Sequence, residues 1–206
     1  MRGVLITFEG VEGSGKSTQL ARLGRSLKRA GHAVEQTSEP DGTKLGLAVR
    51  RLFERSDLSF DPLTEMLLFM AARRQHVVEK IGPWLRQGRV VLCDRYADAT
   101  VAYQGYGRRL DSNVIREMNV RVTGATLPDL TLLFDLDPVV GFKRIGRRRL
   151  DQFEKLALPF HRRVRRGYLE IQRAEPKRVR LIRAGQSPDD VAAEVKQVVE
   201  DFLSGS

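Results

Sequence analysis

One cysteine, Cys93, occurs in 206 residues, so no intrachain disulfide can form. A reducing, cytoplasmic setting is expected. No apolar run approaches the roughly 20 residues that span a bilayer, so no membrane association is expected. The first residues carry one arginine and then the short run Val4-Leu5-Ile6-Thr7-Phe8, with Glu9 and Gly10 directly after. They lack the long apolar stretch and cleavage site of a secretory leader. There is no zinc-ligand set, no RNP-type run and no Asn-Lys-x-Asp guanine motif. That argues against a nucleic-acid partner and against a guanine-nucleotide switch. No repeat, low-complexity segment or linker divides the chain, and a single domain over 1–206 is expected.

Hydrophobic residues make up 41% and charged residues 30%, the balance of a globular chain. The net charge is +10, which suits either nucleic acid or a small anionic substrate. Eight arginines fall between Arg144 and Arg166. Most read as a solvated helical face and a minority as phosphate contacts.

Short apolar runs at Val4–Phe8 and Val90–Cys93 read as buried strands, His32–Thr37 as a weaker second strand, and Leu130–Phe134 and Arg178–Arg183 as the fourth and fifth. Between them lie helical spacings at 17–30, 45–55, 111–123, about 150–174 and after Ser187. A longer one runs from the Asp61-Pro62 cap to about Gln87, with Leu63, Met66, Leu67, Met70, Val77, Val78 and Ile81 on one broad face and Pro83 as a kink. Strand–helix alternation predicts an α/β fold: a five-stranded parallel sheet with helices on both faces. Ligands should then bind beyond the carboxyl ends of the strands.

Gly10-Val11-Glu12-Gly13-Ser14-Gly15-Lys16-Ser17 fits G-x-x-x-x-G-K-[ST] between a buried strand and a helix. A row of backbone N–H groups aimed at one phosphate needs glycines for the turn and for close approach. The following helix adds free N–H groups and a positive dipole end. Lys16 reaches the outer phosphates, and the Ser17 hydroxyl suits Mg²⁺. With Thr18, this segment is the expected ATP site. Asp94 ends the third strand, where a carboxylate can hold the metal shell, and Arg95 follows into the same cleft. Asp137, before Pro138, reads as a helix cap.

With Glu39-Pro40, Leu68-Phe69-Met70-Ala71-Ala72-Arg73, Asp94-Arg95-Tyr96 and Thr100-Val101-Ala102-Tyr103-Gln104-Gly105 in order, the chain resembles bacterial thymidylate kinases over nearly its whole length. The resemblance implies a P-loop nucleoside monophosphate kinase fold and transfer of the γ-phosphoryl group from Mg-ATP to dTMP. It also implies a homodimer. Phe69 would stack on thymine and Arg73 would donate to its O4. Thr100 and Gln104 would meet the base edge, and Tyr103 would crowd the sugar's 2′ position. Arg95 would clamp the acceptor phosphate, Glu12 would approach the 3′-hydroxyl, and Glu39 belongs to the substrate set. The segment from about 146 to 155 resembles the family's lid. Because Gly13 follows Glu12 where some members carry a P-loop arginine, Arg147, Arg148 and Arg149 are the candidates for the catalytic arginine. Arg144 and Ala184–Gln186 would lie near the adenine.

One departure stands out. Many bacterial members read Arg-Glu-Pro-Gly where this chain reads Ser38-Glu39-Pro40-Asp41, so the acceptor clamp is expected to rest on Arg95 or on a lysine such as Lys44. The alternative functions are a deoxynucleoside kinase, with Glu39 or Asp94 as base, and a nucleic-acid-dependent ATPase.

Overall fold

The structure, a computed structural model, describes residues 2–55, 57–146, 153 and 156–205. Five parallel strands, β1 (Val4–Gly10), β2 (Val34–Ser38), β3 (Val90–Asp94), β4 (Leu130–Asp135) and β5 (Val179–Arg183), form one sheet in the order β2-β3-β1-β4-β5. The chain leaves β1 toward β2 on one side and crosses back to β4 on the other. The β1/β3 junction is therefore the topological switch point. Its register sets Phe8 beside Asp94, so the P-loop and the strand-end carboxylate emerge side by side.

Both faces of the central strands β1, β3 and β4 are covered, which is why they read as largely apolar runs, while the edge strands β2 and β5 carry exposed polar residues. Ile6, Phe8 and Leu92 cluster with Leu20, Leu23 and Leu27 of α1 (Lys16–Arg29) and Val191, Val195 and Val199 of α9 (Pro188–Ser204). Leu5, Val91 and Cys93, alternating with them, pack under Val77, Ile81, Leu85 and Tyr96. The remaining helices are α2 (Lys44–Glu54), α3 (Pro62–His76), α4 (Gly82–Arg86), α5 (Ala97–Thr100), α6 (Ser112–Thr123), α7 (Pro138–Ile145) and α8 (Leu158–Ala174).

The Asp-Pro caps form as expected. Asp61 accepts from Leu63 N–H and Asp137 from Val139 N–H, each at 2.8 Å. Two expectations change. The long helix after Asp61 is interrupted by a π-helical turn, Val77–Ile81, where Gly82 N–H bonds Val77 C=O. Pro83 has no N–H, and its ring crowds the carbonyl four residues back. The apolar stripe consequently divides: Met66, Met70, Val77 and Ile81 are buried, whereas Leu63, Leu67 and Val78 stay at the surface. Second, the described helix of the basic region, α8, begins at Leu158, and Leu150, the expected start, lies outside the described residues.

Val101–Gly107 is a π-helical segment continuing α5, and it contains Gly105 and Gly107. Those glycines serve packing. A Cβ on Gly107 would lie 2.6 Å from the Phe160 ring.

Candidate active site

The P-loop joins β1 to α1 at the switch point. Gly13 and Gly15 adopt left-handed φ values of 70° and 89°. The Gly13 constraint is also steric: a Cβ there would meet Gly141 C=O at 2.2 Å, because the loop lies against the start of α7. Gly141 itself carried no signal in the sequence; its own Cβ would meet Glu12 C=O at 2.2 Å. Gly10 is pressed likewise against Phe134 of β4. Val11 is buried and Ser14 bonds back to Val11 C=O at 2.8 Å, while Thr18 is exposed at the start of α1.

Lys16 folds over its own loop, donating to the carbonyls of Gly10 at 3.0 Å and Val11 at 2.9 Å. Burial, with Arg95 second, lowers its pKa to about 8. Ser17 Oγ donates to Asp94 Oδ2, so the two oxygen ligands expected for a metal meet across the junction.

Arg95 has a φ of 65°, a left-handed turn unusual for a side-chain-bearing residue. The turn swings its guanidinium over the Tyr103 ring, 4.9 Å from the centroid, and onto Glu12 Oε1 at 2.8 Å. Tyr103 O–H donates to the same oxygen. Burial alone would raise the Glu12 pKa. Arg95, with His161, Lys16 and Tyr103, more than offsets it and holds the carboxyl well below the usual range. The other Glu12 oxygen is buried without a hydrogen-bond partner among the described residues, 3.7 Å from His161 Nδ1.

A cavity of about 400 Å³ opens from Lys16, Ser17 and Asp94 past Arg95 and Tyr103 to Phe69, Arg73, Thr100 and Gln104. It thus brings together Glu12, Glu39 and most of the residues expected to hold an acceptor. Phe69 stacks on Phe53 with centroids 4.7 Å apart and planes 4° apart, and Phe153 closes over both. Arg73 is 2% exposed. It donates to Glu39 Oε2 (2.8 Å), Thr100 Oγ1 (2.8 Å), Asn119 Oδ1 (2.9 Å) and Tyr96 C=O (2.8 Å). A base carbonyl would therefore have to share one of these N–H groups.

Near Ser38, where the basic residue is missing, the wall carries a cation that the sequence did not single out. Arg50 of α2 lines the cavity, paired with Asp41 Oδ2 at 2.7 Å and Glu54 Oε1 at 3.0 Å. Lys44, suggested for that role, is exposed and not part of the wall. Phe53 and Phe153 were missed too, because no local pattern distinguishes a cage aromatic from a core one. On the far side of the P-loop, Arg144 donates to Ala184 C=O at 2.9 Å, joining the two segments expected near adenine. Arg147, Arg148 and Arg149 lie outside the described residues.

A phosphate cup and a strand-end carboxylate at one end of a cavity whose other end is cationic and aromatic define a P-loop phosphotransferase with a small anionic acceptor. Residues 8–195 match the thymidylate kinase family model. A thymidylate kinase of Deinococcus radiodurans is 47% identical over 97% of this chain and 98% of that protein. One from Solidesulfovibrio magneticus is 46% identical over 97% and 100%. The crystal structure of thymidylate kinase from Ehrlichia chaffeensis superposes with a TM-score of 0.80 at 35% identity, covering 97% of this chain and 99% of that one. The chain belongs to the thymidylate kinase family.

Proposed function

We propose that the enzyme transfers the γ-phosphoryl group of ATP to the phosphate of dTMP, giving ADP and dTDP for dTTP synthesis. The single observation that carries this reading is the continuity of one cavity from the P-loop lysine to the aromatic and amide wall around Phe69 and Gln104. ATP phosphates occupy the cup of Gly10 to Thr18, and Lys16 exchanges its two loop carbonyls for the outer phosphates. Ser17 and Asp94, a hydroxyl and a carboxylate, form a hard oxygen set of the kind Mg²⁺ takes. When bound, that ion would neutralise phosphate charge.

The acceptor phosphate lies between Arg95 and Arg50, the base on Phe69, and the base edge against Arg73, Thr100 and Gln104. Tyr103 crowds the sugar. Glu12, in the same wall, lies where the sugar hydroxyl would come. The main obstacle is bringing two polyanions together. At about 4 Å two unit charges repel by about 4 kcal/mol at an effective dielectric of 20. Lys16, Arg95 and Arg50 offset that, and one of Arg147, Arg148 and Arg149 supplies the remaining charge as the lid, about 146–155, closes and excludes water.

The rival acceptor, an uncharged nucleoside hydroxyl, needs a free base. Each carboxylate in the described cavity wall has at least one oxygen held by a neighbour, although Glu12 Oε2 and Asp41 Oδ1 have no hydrogen-bond partner among the described residues. Glu12 is held by Arg95, Glu39 by Arg73, Asp41 and Glu54 by Arg50, and Asp94 by Ser17. A phosphate acceptor, already an oxyanion, needs none.

The reading also takes the whole chain as one kinase domain, cytoplasmic, without nucleic-acid partners. No described helix is long and apolar enough to cross a membrane. A homodimer would cover the exposed Leu63 and Leu67 of α3 and Val114 and Val120 of α6, two helices in contact. ADP formation with Mg-ATP and a panel of nucleoside monophosphates, with thymidine beside them, tests the assignment. dTMP should turn over fastest and thymidine hardly at all; turnover of thymidine ahead of dTMP would favour the nucleoside kinase.

A further inference from the structure

Gln104 is the one amide among the described residues lining the acceptor cavity. An amide can present a carbonyl oxygen or an NH₂ group, and its other partner decides which. Here Gln104 is 2% exposed and its Nε2 donates to Glu65 Oε1 at 2.8 Å. Glu65, on α3, lies behind the wall and is also 2% exposed. Arg108 donates to both of its oxygens, through Nε at 3.2 Å to each and through Nη2 at 2.8 Å to Oε2. With a donor-only guanidinium on both oxygens, the carboxylate offers acceptors alone. Gln104 can meet it only with NH₂. The reverse amide orientation would set two buried acceptors against each other. Oε1 of Gln104 is the atom left for a ligand.

We propose that Glu65 is a specificity-determining positioning residue: through Gln104 it makes the base wall a hydrogen-bond acceptor, selecting pyrimidines that carry N3–H over those with a lone pair there. Thymine donates at N3; cytosine accepts. The inference rests on the reading that Gln104 faces the base, and it adds the residue that sets the polarity of that contact.

The test is Glu65→Gln. Arg108 keeps the new amide's oxygen on its own side and turns its NH₂ toward Gln104, whose oxygen turns to meet it. Gln104 then shows NH₂ to the cavity. The ratio of kcat/KM for dTMP over dCMP should fall by about tenfold or more, with dTMP losing and dCMP gaining. A merely structural Glu65 would lower both substrates together, and an unchanged ratio overturns the proposal. Should Glu65→Gln fold poorly, Glu65→Gln with Arg108→Gln removes both charges and leaves Gln104 a partner of either polarity. The ratio should then fall several-fold, about threefold or more, and an unchanged ratio again overturns the proposal.

Gln104→Leu separates the two layers. If it leaves the ratio unchanged, the base-edge reading of Gln104 is wrong. If it lowers the ratio and Glu65→Gln does not, only the Glu65 inference fails. In the Gln104→Leu background, Glu65→Gln should change the ratio no further; a further fall overturns the relay.

Discussion

Replacing Asp41 by asparagine should tighten dTMP binding. Arg50 Nη1 is bonded to Asp41 Oδ2 at 2.7 Å, and Glu54 holds its Nε at 3.0 Å. An incoming phosphate must share the guanidinium with Asp41 and sit beside the carboxylate. At about 8 Å two unit charges repel by about 2 kcal/mol at an effective dielectric of 20. The Arg50 side chain is 48% exposed and that of Asp41 27%, so solvent screens both interactions. A net gain of about 1 kcal/mol remains, or about a fivefold fall in KM for dTMP with kcat unchanged. The assay is coupled ADP formation at saturating Mg-ATP. Arg50→Met serves as the counterpart and should raise KM by tenfold or more, about the loss of one charge-assisted contact. If Asp41→Asn raises KM, Asp41 holds Arg50 in place for the phosphate and the competition argument is wrong.

Three further outcomes follow from the same geometry. Lys16 must be charged to bind phosphates and has a pKa near 8 in the empty site, so ATP affinity should decline as pH rises above about 8. Calorimetry in buffers of different ionisation enthalpy should show proton uptake on ATP binding at that pH; no uptake contradicts the assignment. Glu9 is fully buried, and burial, with Asp98 second, raises its pKa from 4.5 to about 8. An acid whose folded pKa lies above its unfolded one holds its proton more tightly when folded. Its contribution to stability is therefore full at low pH and lost as pH rises from about 4.5 to about 8. Glu9→Gln should flatten that part of a denaturation-versus-pH curve, and an unchanged slope would show that Glu9 titrates normally. Gly13→Ala combines a left-handed φ with an overlap against Gly141, so it should cost more than about 2 kcal/mol, roughly 4–8 °C of melting temperature, and abolish ATP binding. A melting point unchanged from wild type would mean that the loop and α7 are not pressed together.

Strand positions, the P-loop and the Asp-Pro caps were legible because each is a local pattern: an apolar run, a fixed glycine spacing, a cap followed by proline. The helix through Val101–Gly107 was not, since Gly105 and Gly107 signal turns locally but serve close packing against Ser112 and Phe160. Within the site, Asp94 ends β3, Arg95 follows it and Lys16 opens α1 after the P-loop, so their placement follows from the topology. Arg50, Phe53 and Glu65 sit on helices with no motif of their own. Phe53 meets Phe69 only when α2 packs on α3, Glu65 meets Gln104 only when α3 packs on the Val101–Gly107 segment, and Arg50 meets Asp41 only when α2 folds back against the loop before it. The Ser38 departure pointed to a missing cation but could not say that it would come from the next helix.

The central claim is that one continuous cleft holds two nucleotides phosphate to phosphate. A crystal grown with Mg²⁺, a non-hydrolysable ATP analogue and dTMP tests it most directly. The terminal phosphate should lie in the amides of 13–17 with Lys16 turned onto it, the dTMP phosphate between Arg95 and Arg50, and thymine flat on Phe69. An acceptor bound elsewhere, or a P-loop still closed by Lys16 on Gly10 and Val11, would contradict the account.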